Sequence, residues 1–279
     1  MIGRVLCSTG AFSRDPDRTD LHAILAFMGA IDCDGFELIF YPSFYECLDE
    51  FQHLPPSSQE RLISLHTEKS IGPLLGSSSK SNIQMGLDRL QINARLAQHL
   101  NIERLILHLW GLPDSDEHIE RNLAQLDAAF EIANDSSVTL TIESIPCVRH
   151  TPSSHLRFIA DTHPNSRFTL DTEFLAMHDE ISTAMEDLSI LGRTDEIHIK
   201  DFNGSLIDSN GKRIYLHPGE GTIDFGYVCK KASSLPQIID LCLESTSVEA
   251  NGSVNISQVQ RDLDFIGDAA RVATQREQG

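Results

Sequence analysis

The chain has 279 residues, 41% of them hydrophobic, and a formal net charge of −19 at pH 7. That length admits one large α/β domain or two small ones, with a sizeable core. The acidic balance, with no Lys/Arg cluster, argues against nucleic acid and against an anionic membrane surface, both of which draw on basic patches.

No apolar stretch approaches the roughly 20 residues needed to span a bilayer. The opening MIGRVLCSTGAF lacks a basic segment followed by a long apolar one and reads as a first strand, not a secretory signal. The six cysteines, Cys7, Cys33, Cys47, Cys147, Cys229 and Cys242, show no CxxC pairing, and several lie in apolar runs as small hydrophobes. A reducing cytoplasm is the expected location.

In chain order, a strand is expected at Gly3–Cys7, a helix at Asp20–Ile31, and strands at Gly35–Phe40 and Leu62–His66. A Gly/Ser-rich loop, TEKSIGPLLGSSSK, covers 67–80 and leads to a helix over Ser81–Leu100. The pattern continues with strand Arg104–Leu109, helix Ser115–Asn134, strand Val138–Glu143, helix Ser153–Asp161 and strand Arg167–Asp171. It closes with helix Glu180–Leu191, strand Glu196–Lys200, a long loop over 201–221, strand Ile238–Glu244 and helix Ser257–Thr274. Ser81, Ser115 and Ser257 are the expected helix caps, and the final TQREQG is expected to fray. Strand centres recur about every 25–45 residues, one βα unit per repeat. The prediction is an α/β protein, a (β/α)8 TIM barrel forming a single domain over residues 1–279. A doubly wound sheet gives the same alternation, but CSTGAFS is not the Gly-rich phosphate turn that it would carry after its first strand.

Four polar residues, Glu143, Asp171, His198 and Glu244, sit at or near the ends of the runs VTLTIES, RFTLDTE, EIHIKD and QIIDLCLES. Ends of successive parallel strands share one mouth, so three carboxylates and an imidazole converge there. Three carboxylates in contact repel and raise one another's pKa. One divalent metal ion (Mn, Mg, Co or Zn) removes that repulsion and suits the donor set. For each acid taken alone, a cap or a surface salt bridge is the plain alternative.

Other residues point into the same mouth. His66 and His108 end the third and fourth strands and are placed as substrate contacts. Trp110 is an apolar wall for a sugar ring, or packing. Lys200 shares the parity of His198; it protonates a substrate oxygen or pairs with a carboxylate, and pairing is favoured. Arg213 in the long loop holds a substrate hydroxyl, carboxylate or phosphate, or is an exposed loop cation. Glu37, inside GFELIF, is a buried carboxylate that either orients a ligand or satisfies a structural arginine, the second being favoured. The serines of GSSSKS fit a phosphate nest or, more simply, a flexible loop. Gly219 and Gly221 are assigned to a tight turn.

GFELIF, SLH, ILHLWG, TIES, LDT, IHIKD, HPGEGTIDF and the glutamate ending the eighth strand follow a known order. The chain resembles the xylose-isomerase-like TIM-barrel superfamily, which includes sugar epimerases, keto-inositol isomerase, hydroxypyruvate isomerase and AP endonucleases of the endonuclease IV type. The resemblance implies one divalent metal held by Glu143, Asp171, His198 and Glu244. It implies an isomerase or epimerase of a small sugar-like or keto-polyol substrate, working by proton transfer next to a carbonyl. Glu143 and Glu244 would be the catalytic acid and base, and keto-inositol isomerase-like activity is the nearest analogue. The partner is then a small polyhydroxylated molecule, and a homo-oligomer is common in such proteins. A metal-dependent dehydratase or lyase, an endonuclease IV-like repair enzyme and a metal-free sugar-binding module are the alternatives. Two departures bear on them. Phe174 stands where both branches place a histidine three residues after the strand-six aspartate, with His178 one turn further on. Arg213 and Tyr215 stand about where the endonuclease branch needs further metal ligands.

Overall fold

The computed structural model describes residues 1–13, 20–249 and 251–277. Eight strands form: β1 Ile2–Ser8, β2 Gly35–Ile39, β3 Leu62–His66, β4 Arg104–Leu107, β5 Thr139–Glu143, β6 Arg167–Asp171, β7 Thr194–Ile199 and β8 Ile239–Leu243. Each pairs in parallel with its neighbours in sequence, and β1 pairs with β8, so the sheet closes into a barrel. That closure excludes the doubly wound alternative. β2, β3, β4 and β8 are buried at every residue. Strands covered on both faces read as continuous apolar runs, which is why these segments were legible.

The helices lie outside the barrel. Leu21–Ala30, Lys80–His99 and Pro152–Thr162 fall within a residue of expectation. Three differences have local causes. The expected Ser115–Asn134 helix is two, Ile119–Leu123 and Leu126–Asp135. Its first residues are spent on the mouth: Ser115 takes a left-handed φ of 51° and its hydroxyl donates to the Pro146 carbonyl. Glu180–Leu191 breaks at Asp187, whose carboxylate caps Leu188–Leu191 by accepting from Ser189 N. Phe225–Ser233 was not expected; Asp224 caps it through Tyr227 N.

The three serine caps are corrected. Ser81 lies inside a helix that starts at Lys80, and its hydroxyl meets that of Ser79. Ser257 is likewise inside Ile256–Glu277, where the Asn255 side chain accepts from Gln258 N. The closing TQREQG is helical as far as Glu277, and residues 278 and 279 lie outside the described ones. No helix among the described residues is long and apolar enough to cross a membrane.

The two unusual loops sit above the C-terminal end of the barrel, after β3 and β7. The first contains a single helical turn, Ile71–Leu75. The second is rooted on Asp201. Its Oδ2 accepts from Gly219 N at 2.9 Å and Gly221 N at 2.8 Å, and its Oδ1 from Phe202 N and Ile223 N. Gly219 has φ +94°, and a Cβ on Gly221 would lie 2.3 Å from Asp201 Oδ1, so both glycines are required. Between the roots, Ile207 and Arg213 pair in a short antiparallel bridge.

Candidate metal centre

The strand ends deliver their side chains as the pattern requires. Glu143 and Asp171 end β5 and β6, His198 is the penultimate residue of β7, and Glu244 follows β8. All four are brought together: one donor atom from each lies within 4.8 Å of every other. His198 Nδ1 is 3.0 Å from Glu143 Oε1 and 3.2 Å from Glu244 Oε2. Asp171 divides its oxygens. Oδ1 caps the helix Thr172–Met177 through Phe174 N at 2.9 Å, while Oδ2, fully buried, has no aligned hydrogen bond.

Lys200, directly after β7, enters the cluster with its Nζ 2.5 Å from Asp171 Oδ2 and 2.7 Å from Glu244 Oε2. The ammonium also lies 4.4 Å from the Phe174 ring centre. The favoured pairing of Lys200 with a carboxylate is therefore what the structure places here. The apolar Phe174 ring supports that cation.

The electrostatics follow from crowding buried acids. Burial pushes the Asp171 carboxyl up to about 7, against the pull of Lys200 and with the push of Glu143 and Glu244. Burial also opposes ionising Glu143, yet the imidazoles of His108 and His198 hold it well below the usual range. Glu244 is held down against burial by Lys200 and His198. His198 is raised, because Glu244, Glu37 and Glu143 outweigh its desolvation.

His66 and His108 also reach the cluster. Their Nε2 atoms lie 3.1 and 2.6 Å from Glu143 Oε2 and 3.1 Å from each other, while His66 Nδ1 meets the Thr67 carbonyl at 2.9 Å. Burial lowers the His108 pKa to about 4 in spite of Glu143. Burial works the same way on His66, but Glu143 prevails and raises it.

Other expectations are corrected. Trp110 is fully buried, its ring packed edge-on against His155 at 5.0 Å, which is packing rather than a wall offered to a ligand. Arg213 is neither an exposed loop cation nor part of the four-donor cluster. Its guanidinium lies 2.5 Å from Glu173 Oε2, donates to the Leu206 and Ile214 carbonyls and stacks on Tyr215. Glu37, expected to serve a structural arginine, instead faces His198 Nε2 at 3.0 Å. The buried arginine Arg104 pairs instead with Asp240 and Glu196. His178 Nε2 accepts from Cys147 N and is not among the four donors.

Sequence reasoning also missed Glu173, buried beside Asp171, and Glu196, two residues before His198 and so on the same strand face. Strand parity was the signal for Glu196.

Glu143, Asp171, His198 and Glu244 fit a divalent cation. Three oxygens and one nitrogen converge, one of the oxygens lacks an aligned partner, and the charge they concentrate is the charge a cation would neutralise. Asp116, Cys147 and His155 also lie close together, but the Asp116 carboxylate is already taken by Val148 N, Arg149 N, His150 N and His155 Nε2. It clamps a loop.

A family model described as a xylose isomerase-like TIM barrel matches residues 25–267. Among curated proteins none matches the sequence. Among solved structures, L-ribulose 3-epimerase is similar at 17% identity and a TM-score of 0.75, over 99% of this chain and 97% of that one. D-allulose 3-epimerase from Methylomonas sp. in complex with D-allulose matches at 15% and 0.69, over 95% and 96%. The IOLI protein with a bound zinc atom matches at 13% and 0.69, over 98% and 99%. At such identities the likeness is one of fold.

Proposed function

The chain belongs to the xylose isomerase-like TIM barrel family, and from that premise we propose that it is a divalent-metal-dependent isomerase or epimerase of a small sugar-like or keto-polyol substrate. The observation that carries this reading is the set of four donors within 4.8 Å at the open end of the barrel. Solved structures of similar fold include sugar 3-epimerases, which supports the substrate class. Glu143, Asp171, His198 and Glu244 would hold the metal. When bound, it supplies Lewis-acid stabilisation of the negative charge that develops on a substrate oxygen.

The chain's own residues do the rest. Glu143 and Glu244 approach His198 Nδ1 from β5 and from the end of β8, so they flank the place where a substrate would sit. One removes the proton next to the carbonyl and the other returns a proton on the opposite face. His66 and His108 hold Glu143 Oε2 and can exchange a proton with it. The Lys200 ammonium steadies Glu244 and Asp171. Burial of these groups strengthens each electrostatic interaction.

The test is elemental analysis followed by screening ketohexoses and keto-inositols in deuterated water. One ion per chain and deuterium at the carbon next to the carbonyl are expected. Three tightly bound ions would revive the endonuclease reading, and a chain that binds a polyol but no metal would sink this one. A second reading, a dehydratase on a similar substrate, is favoured by one observation. The Lys200 ammonium stands 2.7 Å from Glu244 Oε2, placed as an acid beside a base. A product short of one water separates the two.

A further inference from the structure

We infer that Glu37 is a positioning residue for the metal centre, holding the His198 ring from behind so that Nδ1 is presented to Glu143, Asp171 and Glu244. The inference rests on the metal reading above and adds a residue from a strand that supplies no ligand. Glu37 lies in the middle of β2, 0% exposed, and its Oε2 is 3.0 Å from His198 Nε2. The ring's other nitrogen, Nδ1, faces the cluster at 3.0 Å from Glu143 and 3.2 Å from Glu244. The ring is fully buried and stacks at 6.2 Å on His66.

Neither Glu37 oxygen, nor His198 Nε2, has an aligned hydrogen-bond partner among the described residues. A carboxylate stripped of water and left without a donor is costly, so these two facing groups are each other's remedy. Glu196 Oε1 also approaches Nε2, at 3.5 Å, but it accepts from Ser64 Oγ, and its other oxygen lies 3.5 Å from Arg104 Nε. Glu37 has no such alternative. An imidazole that ligates through one nitrogen carries its proton on the other, and an acceptor there fixes both tautomer and ring plane. With Glu37 behind Nε2–H, Nδ1 would be the nitrogen left to offer its lone pair to a metal held among the three carboxylates. If Glu37 merely filled a layer of the barrel, its loss would lower stability and leave the metal indifferent.

The test compares Co²⁺ binding by the full chain with that of Glu37→Gln and Glu37→Leu, using calorimetric titration and the visible absorption of bound cobalt. Glu37→Leu is expected to bind roughly 10- to 100-fold more weakly with a changed absorption band. Glu37→Gln, which keeps an acceptor oxygen but not the charge, should fall between it and the wild type. If the leucine variant does not fold, the glutamine variant carries the test alone, through weaker binding and a shifted band. Wild-type affinity and spectrum in the variants, even with a lowered melting temperature, would overturn the inference and leave the metal reading standing. A wild-type chain that takes up no cobalt would overturn both.

Discussion

The barrel interior is charged at both ends, and the two ends solve the same problem differently. Near the strand starts, Asp240 and Glu196 face Arg104, and Arg4 reaches Asp240 at 2.8 Å from β1. Burial there is overcome by the arginines, and the Asp240 carboxyl is held below its ordinary range. At the strand ends, Glu143, Asp171 and Glu244 meet three imidazoles and a single ammonium, and Asp171 is pushed up to about 7. Guanidinium is charged at every accessible pH, so the lower cluster is closed permanently. The upper cluster is answered by imidazoles and an ammonium, groups that can give up a proton, so a removable cation can take their place. Buried acid at one end is structure, and at the other it is capacity.

Breaking the upper end should cost the most. Glu143→Gln is expected to slow solvent-deuterium exchange into substrate by roughly 10²- to 10⁴-fold. A rate within a few-fold of wild type would remove Glu143 from the chemistry. Arg104→Met does the reverse. It strands Glu196 and leaves Asp240 to Arg4 alone, and a loss of about 3–5 kcal/mol in urea unfolding is expected. Metal supplied at 100 times its dissociation constant should add about 2.7 kcal/mol by binding only the folded chain. EDTA should reverse that gain, and Arg104→Met should not abolish it.

A smaller effect sharpens the contrast through pH. In the folded, metal-free chain Asp171 stays protonated up to about 7, whereas an unfolded aspartate ionises near 4. The folded state therefore holds the extra proton in that window, and stability falls as pH rises through it. Asp240 acts with the opposite sign: its contribution is present above the ordinary aspartate value and fades as pH drops through its lowered folded value. Asp171→Asn should flatten the decline between about pH 4 and about pH 7, measured as urea midpoints without metal. A decline of unchanged slope would contradict this assignment.

The barrel was legible because burial on both faces makes most strands short runs dominated by apolar residues, and the periodicity of Lys80–His99 is equally plain. The four-donor cluster was legible because parallel strands end in one place. What escaped notice depends on distant partners. Nothing in GFELIF says that Glu37 will meet a histidine far along the chain, and ILHLWG does not reveal that Trp110 turns toward His155. The serine caps failed for a related reason, since hydroxyls near a helix start have competing partners such as the Pro146 carbonyl.

Asp201 carries a consequence of its own. Because a single carboxylate ties both feet of the 201–221 segment, the part of the span before Arg213, which pairs with Glu173, is a cassette that can be lengthened, shortened or exchanged while its attachment stays put. Grafting a foreign hairpin between those feet is thus a direct route to retuning what the barrel mouth admits.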